Sequence, residues 1–158
     1  MHQALVAQLV ILLAVANGAP VLAKKAFATR FDRPLDGGAI FVDGRPLLGP
    51  SKTIRGLAFS LLATPFAAVL LGLRWEVGML VAAGAIAGDL LSSFVKRRLG
   101  LASSSMAIGL DQIPEALVPA LLSCILLPLG WLDILAVVML FFVANLVLSP
   151  PVPPTPAR

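Results

Sequence analysis

Histidine and cysteine are nearly absent from this chain, with one of each, His2 and Cys124. A lone histidine next to the first residue leaves no material for a histidine-based metal centre or a catalytic triad. A lone cysteine in an apolar run forms no internal disulfide. Charge is scarce too: Asp, Glu, Lys and Arg make up 13% of the 158 residues, against roughly 25% in a soluble domain. No long basic tract with interleaved aromatics occurs, so nucleic acid is excluded as a partner class. Hydrophobic residues fill the chain instead, at 59%, and the mean hydropathy is +0.98. Too little polar surface remains to cover such a chain in water, and it reads as an integral membrane protein.

A bilayer core of about 30 Å needs about 20 apolar residues of helix. Five segments qualify, near Ala4 to Ala23, Gly56 to Leu73, Val77 to Val95, Ile113 to Leu129 and Leu132 to Leu148. The expected fold is all-α, a polytopic membrane protein with five transmembrane helices. Pro65 and Pro119 lie inside two spans and predict kinks. A cleaved signal peptide needs positive charge before its apolar run, whereas Lys24 and Lys25 follow the first one. The first span therefore reads as an uncleaved helix. Residues 1–149 form one domain, and 150–158 are a proline-rich, extended tail.

Lysine and arginine set the orientation. Loop 24–55 carries Lys24, Lys25, Arg30, Arg33, Arg45, Lys52 and Arg55, and Lys96, Arg97 and Arg98 follow the third span. With the N-terminus outside, these and Arg158 face the cytoplasm, and of the twelve Lys and Arg residues only Arg74 faces out. The expectation is a multi-pass protein of the cytoplasmic membrane with its C-terminus inside.

Three short stretches carry the chemistry. In "GDLLSSFVKRRLG", Asp89, Ser92, Ser93 and Lys96 share one helix face, and Gly84 and Gly88 form a small-residue pair that lets another helix approach. An aspartate at mid-membrane costs about 2.5 to 3.5 kcal/mol, so its bland role is to lock helices through an ion pair. In "FVDGRPLLGPSKTIRG", Gly49, Ser51, Lys52, Thr53, Arg55 and Gly56 precede a helix start, where amides, hydroxyls and cations suit phosphate. A P-loop is excluded, because Ser51 and Pro46 stand where its glycines belong. The bland role of this loop is a snorkelling basic pair. In "GLDQIPEALVPALL", Asp111 can cap a helix and Glu115 follows one turn later. Asp89 and Asp111 fall at the cytoplasmic ends of adjacent helices, where two carboxylates can share a divalent cation. Oxygen ligands beside phosphate favour Mg2+.

Together these stretches, with "NGAPVLAKK" and "RPLDGGAIFVDGRPLLGPSKTIRGL", resemble the CDP-archaeol synthase family, distant relatives of CDP-diacylglycerol synthases. Ser51 replaces a usual glycine and Ile54 a usual aromatic, and the composition and tail suggest a bacterial member. The resemblance implies a Mg2+-dependent cytidylyltransferase that joins CTP to a lipid phosphate and releases pyrophosphate in phospholipid biosynthesis. Its partners would be CTP, the lipid phosphate and membrane lipids, with a homodimer permitted. The attacking phosphate oxygen is already anionic, so no histidine base is required, and positioning and charge neutralisation carry the reaction. The residues expected to act are Asp89 and Asp111 on the metal, and Lys52, Thr53 and Arg55 on the triphosphate. Lys96, Arg97 and Arg98 are expected on the lipid phosphate or pyrophosphate. Gly49, Gly56, Gly88, Ser92 and Ser93 would shape the site, with Glu115 behind them. Lys24 is expected to be a solvated topology anchor. A small transporter or membrane assembly subunit is the competing reading; no half-repeats of the transporter type are visible.

Overall fold

A computed structural model of the chain describes residues 2–28, 30–102 and 107–148. The proline-rich tail and the centre of the linker after the basic cluster lie outside them. Five helices follow in order: α1 (Gln3–Phe27), α2 (Ile54–Leu70), α3 (Trp75–Arg98), α4 (Gln112–Ser123) and α5 (Trp131–Leu148). The described residues contain no strand, only two isolated antiparallel bridges in the loop between α1 and α2.

α1 is the hub. It touches each of the other four helices and carries Leu9, Leu12 and Leu13 into a core with Val77 and Val81 of α3, Ala116 of α4 and Phe141 of α5. α1 and α3 are long and apolar enough to cross a membrane, while α2 and α5 are shorter apolar helices. Leu62, Phe66 and Leu70 of α2, and Leu135, Met139 and Val147 of α5, stay exposed on the outer faces. That distribution suits lipid rather than water.

The fourth helix departs from expectation. It was expected to run to Leu129, but it ends at Ser123, and residues 124–127 form turns. Twelve residues rise only about 18 Å at 1.5 Å each. Pro128 explains the stop. It has no amide hydrogen, and its ring disfavours a helical conformation at Leu127.

Glycine sets how closely the helices meet. A Cβ on Gly84 would lie 2.5 Å from the Pro119 Cα, and one on Gly88 would strike the Pro114 carbonyl oxygen and sit 2.8 Å from the Glu115 amide nitrogen. α4 therefore rests backbone-to-backbone against α3, as the small-residue pair predicts. Gly78 does the same for α2, where a Cβ would be 2.5 Å from the Pro65 Cα. At the other end of the bundle the backbone amide of His2 donates to Asp133 Oδ1 at 2.7 Å, and its ring Nδ1 lies 3.1 Å from Oδ2. The lone histidine thus ties α1 to the start of α5.

The α1–α2 loop doubles back on itself. Leu35 N donates to Lys52 O at 2.7 Å and Ile54 N to Arg33 O at 3.1 Å, pairing the two arms of the loop. Asp36 fastens its interior by accepting from the amides of Gly38, Leu48 and Gly49 at 3.0, 2.9 and 3.3 Å. Partial burial opposes the charge, but those amides hold the carboxyl below its ordinary value of 3.8. A carboxyl depressed on folding stabilises above its unfolded pKa, and that contribution disappears as pH falls through the folded value. We predict that loop amides lose protection, relative to their intrinsic exchange rates, once pH drops below about 4. Asp36→Asn is expected to raise exchange already at neutral pH and to flatten this dependence; an unchanged exchange profile would contradict the role.

Candidate active site

The site forms where α3, α4 and the loop meet. Asp89, Ser93, Lys96 and Arg97 come from α3, Asp111, Gln112 and Glu115 from the start of α4, and Ser51 and Lys52 from the loop. They line a cavity of about 360 Å³, with Asn145 of α5 on its wall. A second lobe of about 500 Å³ shares Ser51, Lys52, Asp89, Glu115 and Asn145. It extends past Asn17, Pro20, Thr53 and Gly56 toward α1 and α2.

Ion pairs organise the first lobe. Lys52 Nζ lies 2.5 Å from Asp89 Oδ1, and Lys96 Nζ lies 2.8 Å from Asp111 Oδ1. Thus a loop residue meets α3, and α3 meets the start of α4. Glu115 lines the same cavity beside Asp89. Gly88 explains why: the missing Cβ lets the α4 backbone at Pro114 and Glu115 sit directly on α3 beside Asp89.

Residues 96, 97 and 98 point three ways because successive helical residues turn by about 100°. Lys96 and Arg97 line the cavity, with Arg97 also donating to the Ala102 carbonyl at 2.6 Å. Arg98 does not line it. It pairs with Asp43 at 2.6 Å, donates to the Pro46 carbonyl at 2.6 Å and stacks over Phe41 and Phe94 at 4.5 and 5.0 Å. Its contacts clamp the loop onto α3.

Other expected site residues divide the same way. Thr53 caps α2, its Oγ1 accepting from Gly56 N at 3.2 Å, and both line the second lobe. Arg55 turns away to Asp32 at 3.1 Å and to the carbonyls of Ala28 and Arg30. It is on the opposite side of α2 from Thr53 and Gly56, so it braces the loop rather than facing the cavity. Gly49 serves the Asp36 turn, and Ser92 is buried with its hydroxyl donating to the Asp89 carbonyl at 3.0 Å. Asp111 occupies the N-cap position but makes no cap; its Oδ2 accepts from Ala107 N at 2.9 Å instead. Lys24 is exposed, as a solvated anchor would be, and also lines the second lobe, while the exposed Lys25 beside it lines neither lobe.

The donor set suits a hard divalent cation. Asp111 Oδ1 is buried and accepts no hydrogen bond of good geometry despite its ion pair, and Asp89 and Glu115 line the same cavity. No three His, Cys, Asp or Glu side chains converge at ligand spacing among the described residues. A cation here would therefore rest on one or two carboxylates and complete its shell with phosphate and water, the habit of Mg2+. The sequence expectation paired Asp89 with Asp111; both line the cavity, with Glu115 beside them.

Comparison with known proteins is consistent in direction. Residues 68–150 match the family model of CarS-like CDP-archaeol synthases. The CDP-archaeol synthase of Sulfurisphaera tokodaii is 36% identical over 139 residues, 84% of this chain and 80% of that protein. That of Hyperthermus butylicus is 43% identical over 104 residues, 62% of this chain and 59% of that protein. A solved structure of an intramembrane enzyme for archaeal membrane lipid biosynthesis superposes with a TM-score of 0.78 at 32% identity, covering 90% of each chain.

Proposed function

Because this chain belongs to the CDP-archaeol synthase family, we propose that it is a membrane enzyme that transfers the cytidylyl group of CTP to a lipid phosphate. A phosphate oxygen of the lipid attacks the α-phosphorus of CTP. The bond from that phosphorus to the bridging oxygen of the β-phosphate breaks, and pyrophosphate leaves with the electron pair. The products are a CDP-lipid and pyrophosphate. The observation that carries this reading is the cavity itself: Lys52, Lys96 and Arg97 opposite Asp89, Asp111 and Glu115 in an otherwise apolar bundle. The relatives' shared name lends nothing to a transporter or assembly subunit.

In this reading Lys52, Lys96 and Arg97 neutralise the phosphates, which otherwise repel the incoming anion. Asp89, with Glu115 or Asp111, would hold a Mg2+, which when bound would supply positive charge against the phosphoryl oxygens. Lys52 and Lys96 already have anionic partners, so a bound triphosphate exchanges one counter-ion for another. Ser93 and Gly56 supply room and backbone contacts. We further propose five passes through the membrane with the N-terminus outside, which places the cavity at the cytoplasmic surface where CTP is available. Impermeant thiol reagents on intact cells are expected to miss a cysteine introduced at Asp43; labelling there would reverse the orientation.

Lys52 gives the test of phosphate recognition. Loss of a charge-assisted contact to phosphate is expected to weaken CTP use roughly tenfold to a few hundredfold in Lys52→Gln. Lys25→Gln makes the same charge change on an exposed lysine outside the cavity and is expected to have little effect. Equal effects from the two variants would mean that the loop acts only through its general positive field.

A further inference from the structure

The first turns of α2 face two ways. Thr53, Gly56 and Leu57 line the polar cavity, while Ile54, Arg55 and Phe59 line a separate slot of about 470 Å³ with Phe27, Phe31 and Arg33. The slot's walls are aromatic and aliphatic. Phe27 and Phe59 stack across it with centroids 5.5 Å apart.

Two features of the slot find no partner among the described residues. Phe31 takes a left-handed backbone conformation, φ 58°, which a bulky side chain rarely adopts. Its ring is nevertheless 76% exposed, so the strain brings no packing in return. Arg33 is exposed and forms no ion pair among the described residues. Arg55 differs, since Asp32 and two carbonyls occupy its guanidinium. An apolar slot with an available arginine at its edge matches an amphiphile with a negative head.

We infer that this slot binds an anionic phospholipid of the surrounding bilayer, with one chain against Phe27, Phe31 and Phe59 and the headgroup phosphate on Arg33. The site lies across α2 from the proposed catalytic cavity and is independent of the chemistry there. A bound chain would give Phe31 the contacts that the protein withholds.

The test uses delipidated full-length protein in detergent, without CTP. It is titrated with phosphatidylglycerol or phosphatidylcholine of identical chains and read by native mass spectrometry. Both lipids are phosphodiesters, so neither is an acceptor for cytidylyl transfer, and the result does not depend on the proposed activity. The wild type is expected to prefer phosphatidylglycerol. Arg33→Gln is expected to lose about fivefold of that preference, the contribution of one cation near an anionic lipid. Lys25→Gln is expected to keep it. Phe31→Ala, a change at an exposed ring that leaves the core intact, is expected to weaken both lipids alike. Absence of a headgroup preference in the wild type would overturn the inference. So would equal losses in Arg33→Gln and Lys25→Gln, or full retention of both lipids in Phe31→Ala.

Discussion

Asp89→Asn is expected to lower CTP turnover at least about a hundredfold while the protein stays folded in the membrane. The substitution keeps the shape and removes only the charge. Asp89 stands where the loop, α3 and α4 meet: Lys52 from the loop lies at 2.5 Å, and Asp111 and Glu115 from α4 line the same cavity. Its loss takes away the proposed cation ligand and the partner that aims Lys52. The competing role is a helix lock, and it predicts something different. Lys52 and Asp89 are both partly open to solvent, 19% and 32% exposed at their side chains, so their pairing contributes little to stability on its own. If Asp89→Asn kept its turnover but lost thermal stability, the aspartate would be a lock and the catalytic assignment would fail. Asp111→Asn gives a second reading: full activity there would confine Asp111 to its bond with the Ala107 amide.

Gly88→Ala is expected to cost about 3 kcal/mol of stability and, in protein that still folds, at least about a hundredfold in turnover. The added Cβ meets backbone atoms of α4, the Pro114 carbonyl and the Glu115 amide, which have no rotamer in which to escape. The helices must separate, and Glu115 then moves off Asp89. A shift of about 1 Å at a reacting centre is enough for a loss of that size. Gly18→Ala is the control. Nothing lies within 4 Å of a Cβ at that position of α1, and it is expected to be tolerated. Equal tolerance at Gly88 would mean that the close contact of α3 and α4 does not position the site.

Much of this arrangement was legible in the sequence because membrane helices announce themselves by length and apolarity. All five helices appear in their expected places, and Gly84 and Gly88 face another helix as their spacing requires. The fourth was overextended because hydropathy continues through Leu126 and Leu127, while Pro128 decides where the helix stops. The helix face Asp89, Ser92, Ser93 and Lys96 was readable from its period; Asp89, Ser93 and Lys96 line one cavity, while Ser92 is buried beside it with its hydroxyl on the Asp89 carbonyl. The direction of side chains in the loop was not. Arg55 and Arg98 look equivalent to Lys52 and Lys96 in composition, yet they bind carbonyls and aspartates that hold the loop in place. Nothing local in the sequence distinguishes an arginine that clamps a loop from one that faces substrate. Asn145 was missed, although a lone amide within the apolar run of α5 was a signal available to find it.

The reaction can be followed directly with CTP radiolabelled at the α-phosphate, purified protein, Mg2+ and an ether-linked lipid phosphomonoester. Cytidylyl transfer predicts that the label enters the lipid extract, that pyrophosphate appears in equal amount, and that chelation of the metal stops both. With CTP labelled at the γ-phosphate instead, the lipid should remain unlabelled. Label from the γ-position in the lipid, or no transfer from the α-position by active-site-intact protein, would contradict the proposed reaction.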